Sequence, residues 1–281
     1  MFLEAAFNNE FIKRISRYRV MNNFFSPEPI IFSNQGGNNS FPKNTIPCFE
    51  ESFALGADAV CVHVQLSKDG VLMVIPDKKS ENSDFNGKVN DYTASELKEL
   101  DPGLTYSNEN GGFPFKGKGL HYITLEELLL YFPDKKFNIT LIHKDKKIAH
   151  EYSEVIKKCN AEARIFTVAV YGAVIKEVRK KLPDSPTAFT LAGLLGVYAL
   201  FRSGFLFAAT TFKADVLQTS EKIGGSYIAN RGLVRQLQGK GIRVYVWDVK
   251  TEIELQRLYD AGVDGYVTDN VELVKNFLDN K

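Results

Sequence analysis

The sequence predicts an α/β protein whose parallel strands close into a single barrel. The chain has 281 residues, and one eight-stranded barrel with its outer helices typically takes about 250. From residue 124 onward, short β-rich runs alternate with helical patterns, which favours a parallel sheet crossed by helices. No Gly-x-Gly-x-x-Gly loop follows a strand, so the main alternative, an open doubly wound sheet, lacks its phosphate-binding signature.

The first part of the chain predicts a helical lead-in, followed by the start of the barrel. Apolar residues at three- and four-residue spacing over 2–20 indicate an amphipathic helix, so we assign 1–28 to the lead-in and 29–281 to the barrel. Strands are predicted at 29–32 and 59–66 with a helix at 44–55 between them. Within the second strand, Cys61 and His63 share one face.

A tight turn at 68–70 predicts a returning strand at 71–75, and a short polar insertion over about 78–122 follows this third strand. The insertion contains one predicted helix, which starts at the Thr93-x-x-Glu96 capping pattern. Beyond it the pattern predicts strands at 137–142, 164–170, 244–249 and 265–268, and helices at 124–131, 148–159, 173–181 and 252–261.

Between Asp184 and Lys213 the only charged residue is Arg202. The main interpretation is a buried strand at 187–190 followed by an unusually apolar helix. One alternative is contact of 191–207 with lipid or an apolar ligand, and another is a membrane span. A span requires about 20 apolar residues, and here glycines and Arg202 interrupt the run.

Composition narrows the class of partner. Lys and Arg total 35 against 34 for Asp and Glu, so nothing in the net charge attracts nucleic acid. Three cysteines predict no disulfide framework, and charges interrupt the apolar residues at the N-terminus. We therefore expect a cytoplasmic protein, and peripheral contact with a membrane through 191–207 stays an alternative.

Several segments occur in a recognisable order and spacing. They are Pro42-Lys43-Asn44-Thr45 after a glycine loop, Lys68-Asp69-Gly70 after a strand, TASELKELD at 93–101, ITLEELL at 123–129, and VYVWDVKTEIELQRLYDAGVDGYVTDN at 244–270. Together they resemble the glycerophosphodiester phosphodiesterase family. The resemblance covers about 29–274, nearly the whole chain.

The resemblance implies a (β/α)8 TIM barrel of the PLC-like phosphodiesterase type, with its site at the carboxyl ends of the strands. It also implies the hydrolysis of glycerophosphodiesters with a divalent metal, usually Mg²⁺ or Ca²⁺. In the family two histidines act as acid and base, and an arginine and a lysine hold the phosphate.

Carried over by position, the chemical residues of the family are replaced in this chain. The two catalytic histidines correspond to Asn34 and Pro76, the phosphate-binding arginine to Gln35, three metal carboxylates to Lys43, Cys61 and His63, and a Glu-x-Lys pair to Thr140 and Ile142. A hard divalent cation needs several oxygen ligands, and neither Asn nor Pro transfers protons near pH 7. We therefore expect no retained catalytic residue, no metal or other cofactor, and a pseudoenzyme.

Lys43 is the only charged residue at these positions, so an acidic site in the family becomes weakly basic here. This favours binding of a phosphodiester or phospholipid head group. The candidate ligand-binding residues are Asn34, Gln35, Lys43, Asn44, His63 and Trp247.

Two other functions stay open: a divergent phosphoric diester hydrolase of lipid metabolism with a rebuilt site, and a scaffold for an unknown protein partner with no ligand. Cys61 and His63 also leave open a soft metal such as Zn²⁺, or a cysteine nucleophile with a histidine base. Neither has the additional ligands or orienting partner that it needs.

Overall fold

A computed structural model describes residues 24–37, 40–76, 87–107, 111–209, 212–223 and 225–281. The helix predicted within 2–20 lies outside these residues. The strands are β1 Ile30–Asn34, β2 Ala59–Leu66, β3 Leu72–Val74, β4 Ile123–Thr124, β5 Lys136–Leu141, β6 Ile165–Ala169, β7 Val216–Ser220, β8 Lys222–Ile223, β9 Ser226–Tyr227, β10 Arg243–Trp247 and β11 Gly265–Thr268.

The helices follow the strands along the chain. They are α1 Ile46–Ala54, α2 Ala94–Lys98, α3 Leu125–Tyr131, α4 Lys147–Lys158, α5 Gly172–Lys181, α6 Leu191–Arg202, α7 Arg231–Gln238, α8 Glu252–Ala261 and α9 Val271–Asp279. The predicted capping box is confirmed, because the Thr93 side chain accepts from the Glu96 amide while Glu96 accepts from the Thr93 amide.

The parallel strands close into the predicted barrel. Around the ring, β1 pairs with β2, β2 with β5 and β5 with β6, while on the other side β1 pairs with β11, β11 with β10 and β10 with β7. Two isolated parallel bridges, from Thr187 to Thr167 and from Ala188 to Val216, join β6 to β7. Thr187 and Ala188 therefore form a very short eighth strand, and β7 is a strand that the sequence pattern did not reveal.

The strand predicted at 187–190 is shortened by the helix that follows it. The Thr190 side chain accepts from the Gly193 amide and caps α6, so the chain turns away from the barrel after two paired residues. The helix itself has 12 residues. Within the described residues, no helix has the length and apolar character to cross a bilayer.

Aromatic rings fill the amino-terminal end of the barrel. Phe24 and Phe25, which belong to the predicted lead-in, pack with Phe32, Phe166 and Tyr245 among the buried residues. The Phe32 and Tyr245 ring centroids are 4.9 Å apart, and the Phe24 and Phe166 centroids are 5.8 Å apart. The aromatic rings at this end of the barrel form a packed core.

Three aspartates stabilise the same end, because each accepts a hydrogen bond from a backbone N–H of the preceding strand. Asp58 accepts from Ile31 at 2.8 Å, Asp264 from Val244 at 2.7 Å, and Asp215 from Thr187 at 2.9 Å. Each aspartate directly precedes a barrel strand. The three carboxylates thus satisfy amides that would otherwise start a strand unpaired.

Candidate functional site

A cavity of about 510 Å³ opens at the carboxyl ends of the barrel strands. Part of its lining is polar: Asn34, Gln35, Cys61, His63, Asn138, Thr140, Gln218, Trp247 and Asp248. The other part is mainly apolar: Val168, Ala169, Val170, Phe189, Thr190, Leu191, Leu194 and Val267. This is the position at which the (β/α)8 fold places its ligands.

The loop from β1 to α1 is held in a conformation that is rare outside glycine. Gln35 and Asn44 have φ of 56° and 62°, in the left-handed region that costs about 1–3 kcal/mol for such residues. The backbone of Gly36 passes so close to Cys48 that an added Cβ would lie 2.4 Å from its Sγ. The loop geometry that presents residues 34 and 35 to the cavity is therefore specified by packing beneath it.

Two hydrogen bonds that share the Gln35 side chain link this loop to β2. The Asn44 Nδ2 donates to Gln35 Oε1 at 3.0 Å, and Gln35 Nε2 lies 3.4 Å from His63 Nδ1. Since Gln35 Oε1 already accepts, its Nε2 is the donor to His63. This direction assigns the ring proton of a neutral His63 to Nε2.

A second amide group forms the floor of the cavity. Asn138 Nδ2 donates to Cys61 Sγ at 3.4 Å and to Gln218 Oε1 at 3.3 Å. Asn138 is 1 % exposed, and within the described residues its Oδ1 has no hydrogen-bond partner. An unpaired acceptor of this kind is rare among buried polar groups.

Cys61 is a neutral thiol in this environment. Burial raises its pKa to about 12, against a smaller lowering by the hydrogen bond from Asn138. A thiol, not a thiolate, therefore faces the cavity at neutral pH, and a thiol is neither a good nucleophile nor a metal ligand.

Lys43 does not line the cavity. Its Nζ lies 2.7 Å from Asp269 Oδ1, and both side chains are about one-third exposed. The net basic charge expected at the barrel mouth is thereby balanced by an aspartate 226 residues away along the chain. Asn44 also lies outside the lining, although its amide holds Gln35 in place.

The other predicted site residues also fall into two groups, those that line the cavity and those that do not. Asn34, Gln35, Cys61, His63 and Trp247 line the cavity. Pro76, at the second histidine position, does not, and its carbonyl accepts from Gln65 Nε2 at 2.8 Å.

Asn138, Gln218, Asp248 and the β6 part of the apolar wall were missed by the sequence reasoning, whereas Leu191 and Leu194 lie in the segment 191–207, for which contact with an apolar ligand was an alternative. Alternation along β5 carries a signal for Asn138, because it lies two residues before Thr140 on the same face. Gln218 lies on the unpredicted β7, so no comparable signal was available for it.

The donor set does not fit the divalent metal that the family resemblance implies. At the metal positions the chain has an ammonium paired with Asp269, a protonated thiol and an imidazole, whereas Mg²⁺ and Ca²⁺ take oxygen ligands. Across the described ranges, no group of three or more His, Cys, Asp or Glu is placed to hold a metal ion. The polar floor of the cavity is formed by the side-chain amides of Asn138 and Gln218 and the Cys61 thiol.

The comparison with known proteins agrees with the fold. The sequence profile of the glycerophosphoryl diester phosphodiesterase family matches residues 35–273. The chain belongs to this family.

Relatives named after the family's activity match most of the chain. It is 26 % identical over 256 residues to a glycerophosphodiester phosphodiesterase of Caldanaerobacter subterraneus subsp. tengcongensis, covering 89 % of this chain and 97 % of that protein. It is 25 % identical over 270 residues to a lysophospholipase D of Mus musculus, covering 89 % and 82 %.

Solved structures of the family share the barrel. A glycerophosphoryl diester phosphodiesterase domain from Mycobacterium tuberculosis superposes with a TM-score of 0.78 at 17 % identity, over 90 % of this chain and all of that chain. A phosphodiesterase of Oleispira antarctica, solved with its product sn-glycerol-3-phosphate, gives a TM-score of 0.69 at 16 % identity, over 91 % and 98 %. At this identity the likeness describes the fold alone.

Proposed function

We propose that this chain is a non-hydrolysing member of the family that binds the head group of a glycerophosphodiester or a lysophospholipid at the barrel mouth. The observation that carries the proposal is the replacement of acid, base and metal ligands by an amide floor around a protonated thiol. Asn138, Gln218 and Cys61 are joined by hydrogen bonds within this floor.

The site lacks the groups that phosphodiester hydrolysis requires. A proton must be taken from the nucleophile and another given to the leaving oxygen. The amide of Asn34 and the ring of Pro76 transfer neither. His63 is a single imidazole whose Nδ1 accepts from Gln35 Nε2, and Asn34 and Pro76 occupy the positions of the family's histidine pair.

The polar lining suits a zwitterionic head group. The Gln35 and Asn34 amides offer N–H donors to phosphate oxygens, and the buried Asn138 Oδ1 offers an acceptor to a glycerol hydroxyl. The Trp247 ring borders the same cavity and suits a quaternary ammonium, whereas the Asp248 carboxylate is paired with Lys250. The proposal does not include Lys43 as a ligand contact, because its ammonium is paired with Asp269.

The matches with relatives named glycerophosphodiester phosphodiesterase and lysophospholipase D support this choice of ligand class. The presence of Asn34 and Pro76 at the positions of the family's two histidines also favours binding over a rebuilt hydrolase.

Isothermal titration calorimetry with glycerophosphocholine tests the proposal in solution. Asn138→Leu removes the unpaired acceptor and lowers affinity about tenfold, the cost of about one buried hydrogen bond. Gln35→Leu has a similar effect. Gln65→Leu is the matched control, since Gln65 lies on the same strand face as His63 but binds the Pro76 carbonyl outside the cavity lining.

Thermal unfolding of each variant establishes that the fold is retained. If the folded wild-type protein releases no heat with glycerophosphocholine or with lysophosphatidylcholine below its micellar concentration, the binding proposal is wrong. A ligand-free scaffold then accounts better for the chain. Equal affinities of Asn138→Leu, Gln35→Leu and wild type would place the ligand elsewhere on the molecule.

A further inference from the structure

The mouth of the cavity has two chemically different halves. The strand order around the barrel puts β6 and the short strand 187–188 opposite β11 and β1. At the β11 and β1 side lies the Lys43–Asp269 ion pair. At the β6 side lie exposed apolar residues, Val170, Tyr171, Leu191 and Leu195, which we call the apolar rim.

The apolar rim is well exposed and close to the cavity. Leu191 is 67 % exposed, Val170 53 %, Leu195 47 % and Tyr171 44 %. Leu191 and Val170 also line the cavity. A Cβ added at Gly172 would lie 3.9 Å from Thr190, so the starts of α5 and α6 lie side by side and present their rim residues together.

The apolar surface continues inward without a break. Behind the rim, Val168, Phe189 and Leu194 form the wall of the cavity on the same side. No residue from 185 to 212 except Arg202 is charged. Docking of the rim on a hydrocarbon surface therefore dehydrates few charged groups, and the wall offers a path for an acyl chain out of the cavity.

Cations flank the rim on its β5 side. The loop after β5 contains Lys144, Lys146 and Lys147, all exposed, with a single acidic residue, Asp145. Its strand is joined to the rim, because the Val170 amide donates to the Leu141 carbonyl at 3.3 Å. Apolar side chains beside a lysine loop match the surface of a membrane that carries anionic lipid.

We infer that the apolar rim and the lysine loop 144–147 dock this protein on an anionic phospholipid membrane, with the cavity mouth next to the lipid. The inference extends the proposed function, since it gives a route for a membrane lipid to reach the site. Docking itself depends on the outer rim and not on the amide floor.

Co-sedimentation with vesicles tests the inference. We expect the full chain to sediment with phosphatidylcholine vesicles that contain phosphatidylserine, and much less with pure phosphatidylcholine. The double variant Tyr171→Asp, Leu195→Asp lowers the partition coefficient at least about tenfold, because two side chains no longer enter the interface. Asp is well tolerated at position 171, since this residue is the N-cap of α5.

The matched control is Leu130→Asp, Ile253→Asp, which changes two side chains of 60 % and 76 % exposure on α3 and α8. This variant binds vesicles like wild type. Lys144→Glu, Lys146→Glu removes the preference for phosphatidylserine, whereas Lys118→Glu in the insertion does not. Raised salt weakens only the phosphatidylserine-dependent part.

Equal vesicle binding by the Tyr171→Asp, Leu195→Asp variant and wild type would overturn the inference. The inference is also wrong if the wild-type protein binds no vesicle. The same holds if size-exclusion chromatography shows that the rim instead joins two copies of the chain. Calorimetry with glycerophosphocholine separates the two proposals, because Tyr171 and Leu195 do not line the cavity. Solution binding without vesicle binding contradicts only the docking surface.

Discussion

The amino-terminal end of the barrel is filled by aromatic rings, whereas the carboxyl end holds a cavity lined by side-chain amides. The amino-terminal, or lower, end resembles the interior of any well-packed protein, and its aspartates accept hydrogen bonds from backbone amides. The carboxyl, or upper, end has an open cavity and two loop residues with positive φ. We therefore expect substitutions at the upper end to disturb the barrel less than substitutions at the lower end.

The largest expected effect concerns the aromatic core. Phe166→Ala removes a ring that is 0 % exposed and lowers the free energy of unfolding by about 3–5 kcal/mol. Gln218→Ala at the cavity floor lowers it by less than about 1 kcal/mol. Urea unfolding compares them, and a larger loss from Gln218→Ala would contradict this division between the two ends.

The aspartates that precede strands have the next largest effect. Asp264→Ala leaves the Val244 amide without its acceptor and costs about 1–3 kcal/mol. The exposed Asp134→Ala is the control and changes stability by less than about 0.5 kcal/mol. If both variants unfold at the same urea concentration, the aspartate contacts do not stabilise the barrel.

The thiol of Cys61 gives a chemical contrast with an ordinary surface cysteine. A pKa of about 12 in place of 9.0 reduces the thiolate fraction at pH 8 by roughly a thousandfold. Alkylation by iodoacetamide, followed by mass spectrometry, therefore leaves Cys61 unmodified long after a free thiol peptide has reacted.

The raised pKa of Cys61 also determines the direction in which the free energy of unfolding changes with pH. Folding raises the pKa of Cys61, so as the pH rises the unfolded chain loses the thiol proton before the folded protein does. The contribution of Cys61 to the free energy of unfolding is therefore lost between about pH 9 and pH 12. Cys61→Ala has a shallower fall in unfolding free energy over this range. Rapid alkylation of Cys61 at pH 8 would show that a thiolate does form in the cavity.

Much of the barrel framework was predictable from the sequence because it depends on local residue patterns. The capping box at Thr93 and the alternation of β2 each depend on a few neighbouring residues, and the ordered family segments place them in one barrel. β7 and the two-residue strand at 187–188 were not predictable in the same way. Their pairing depends on partners that are distant in sequence.

The candidate site was predictable in position but not in its electrostatics. The resemblance places Gln35, Cys61 and His63 at the mouth, and the structure brings them there. No local pattern couples Lys43 to Asp269 across 226 residues. The charge at the mouth therefore required the three-dimensional fold.

The smallest expected effect follows from this ion pair. Lys43→Met removes a half-exposed contact and changes stability by less than about 1 kcal/mol. Affinity for glycerophosphocholine stays at the wild-type value, because the ammonium lies outside the lining. A tenfold weaker affinity in calorimetry would show instead that Lys43 leaves Asp269 for the ligand phosphate.

Phosphorus NMR of glycerophosphocholine with stoichiometric protein tests the central claim most directly. The spectrum is recorded with Mg²⁺, Ca²⁺, Mn²⁺ or Zn²⁺ added in turn. A head-group binder without the catalytic set shifts or broadens the diester resonance and produces no glycerol phosphate signal, and Asn138→Leu reverses the shift. A growing glycerol phosphate signal that the Cys61→Ala, His63→Ala variant abolishes would contradict the account and identify a rebuilt hydrolase.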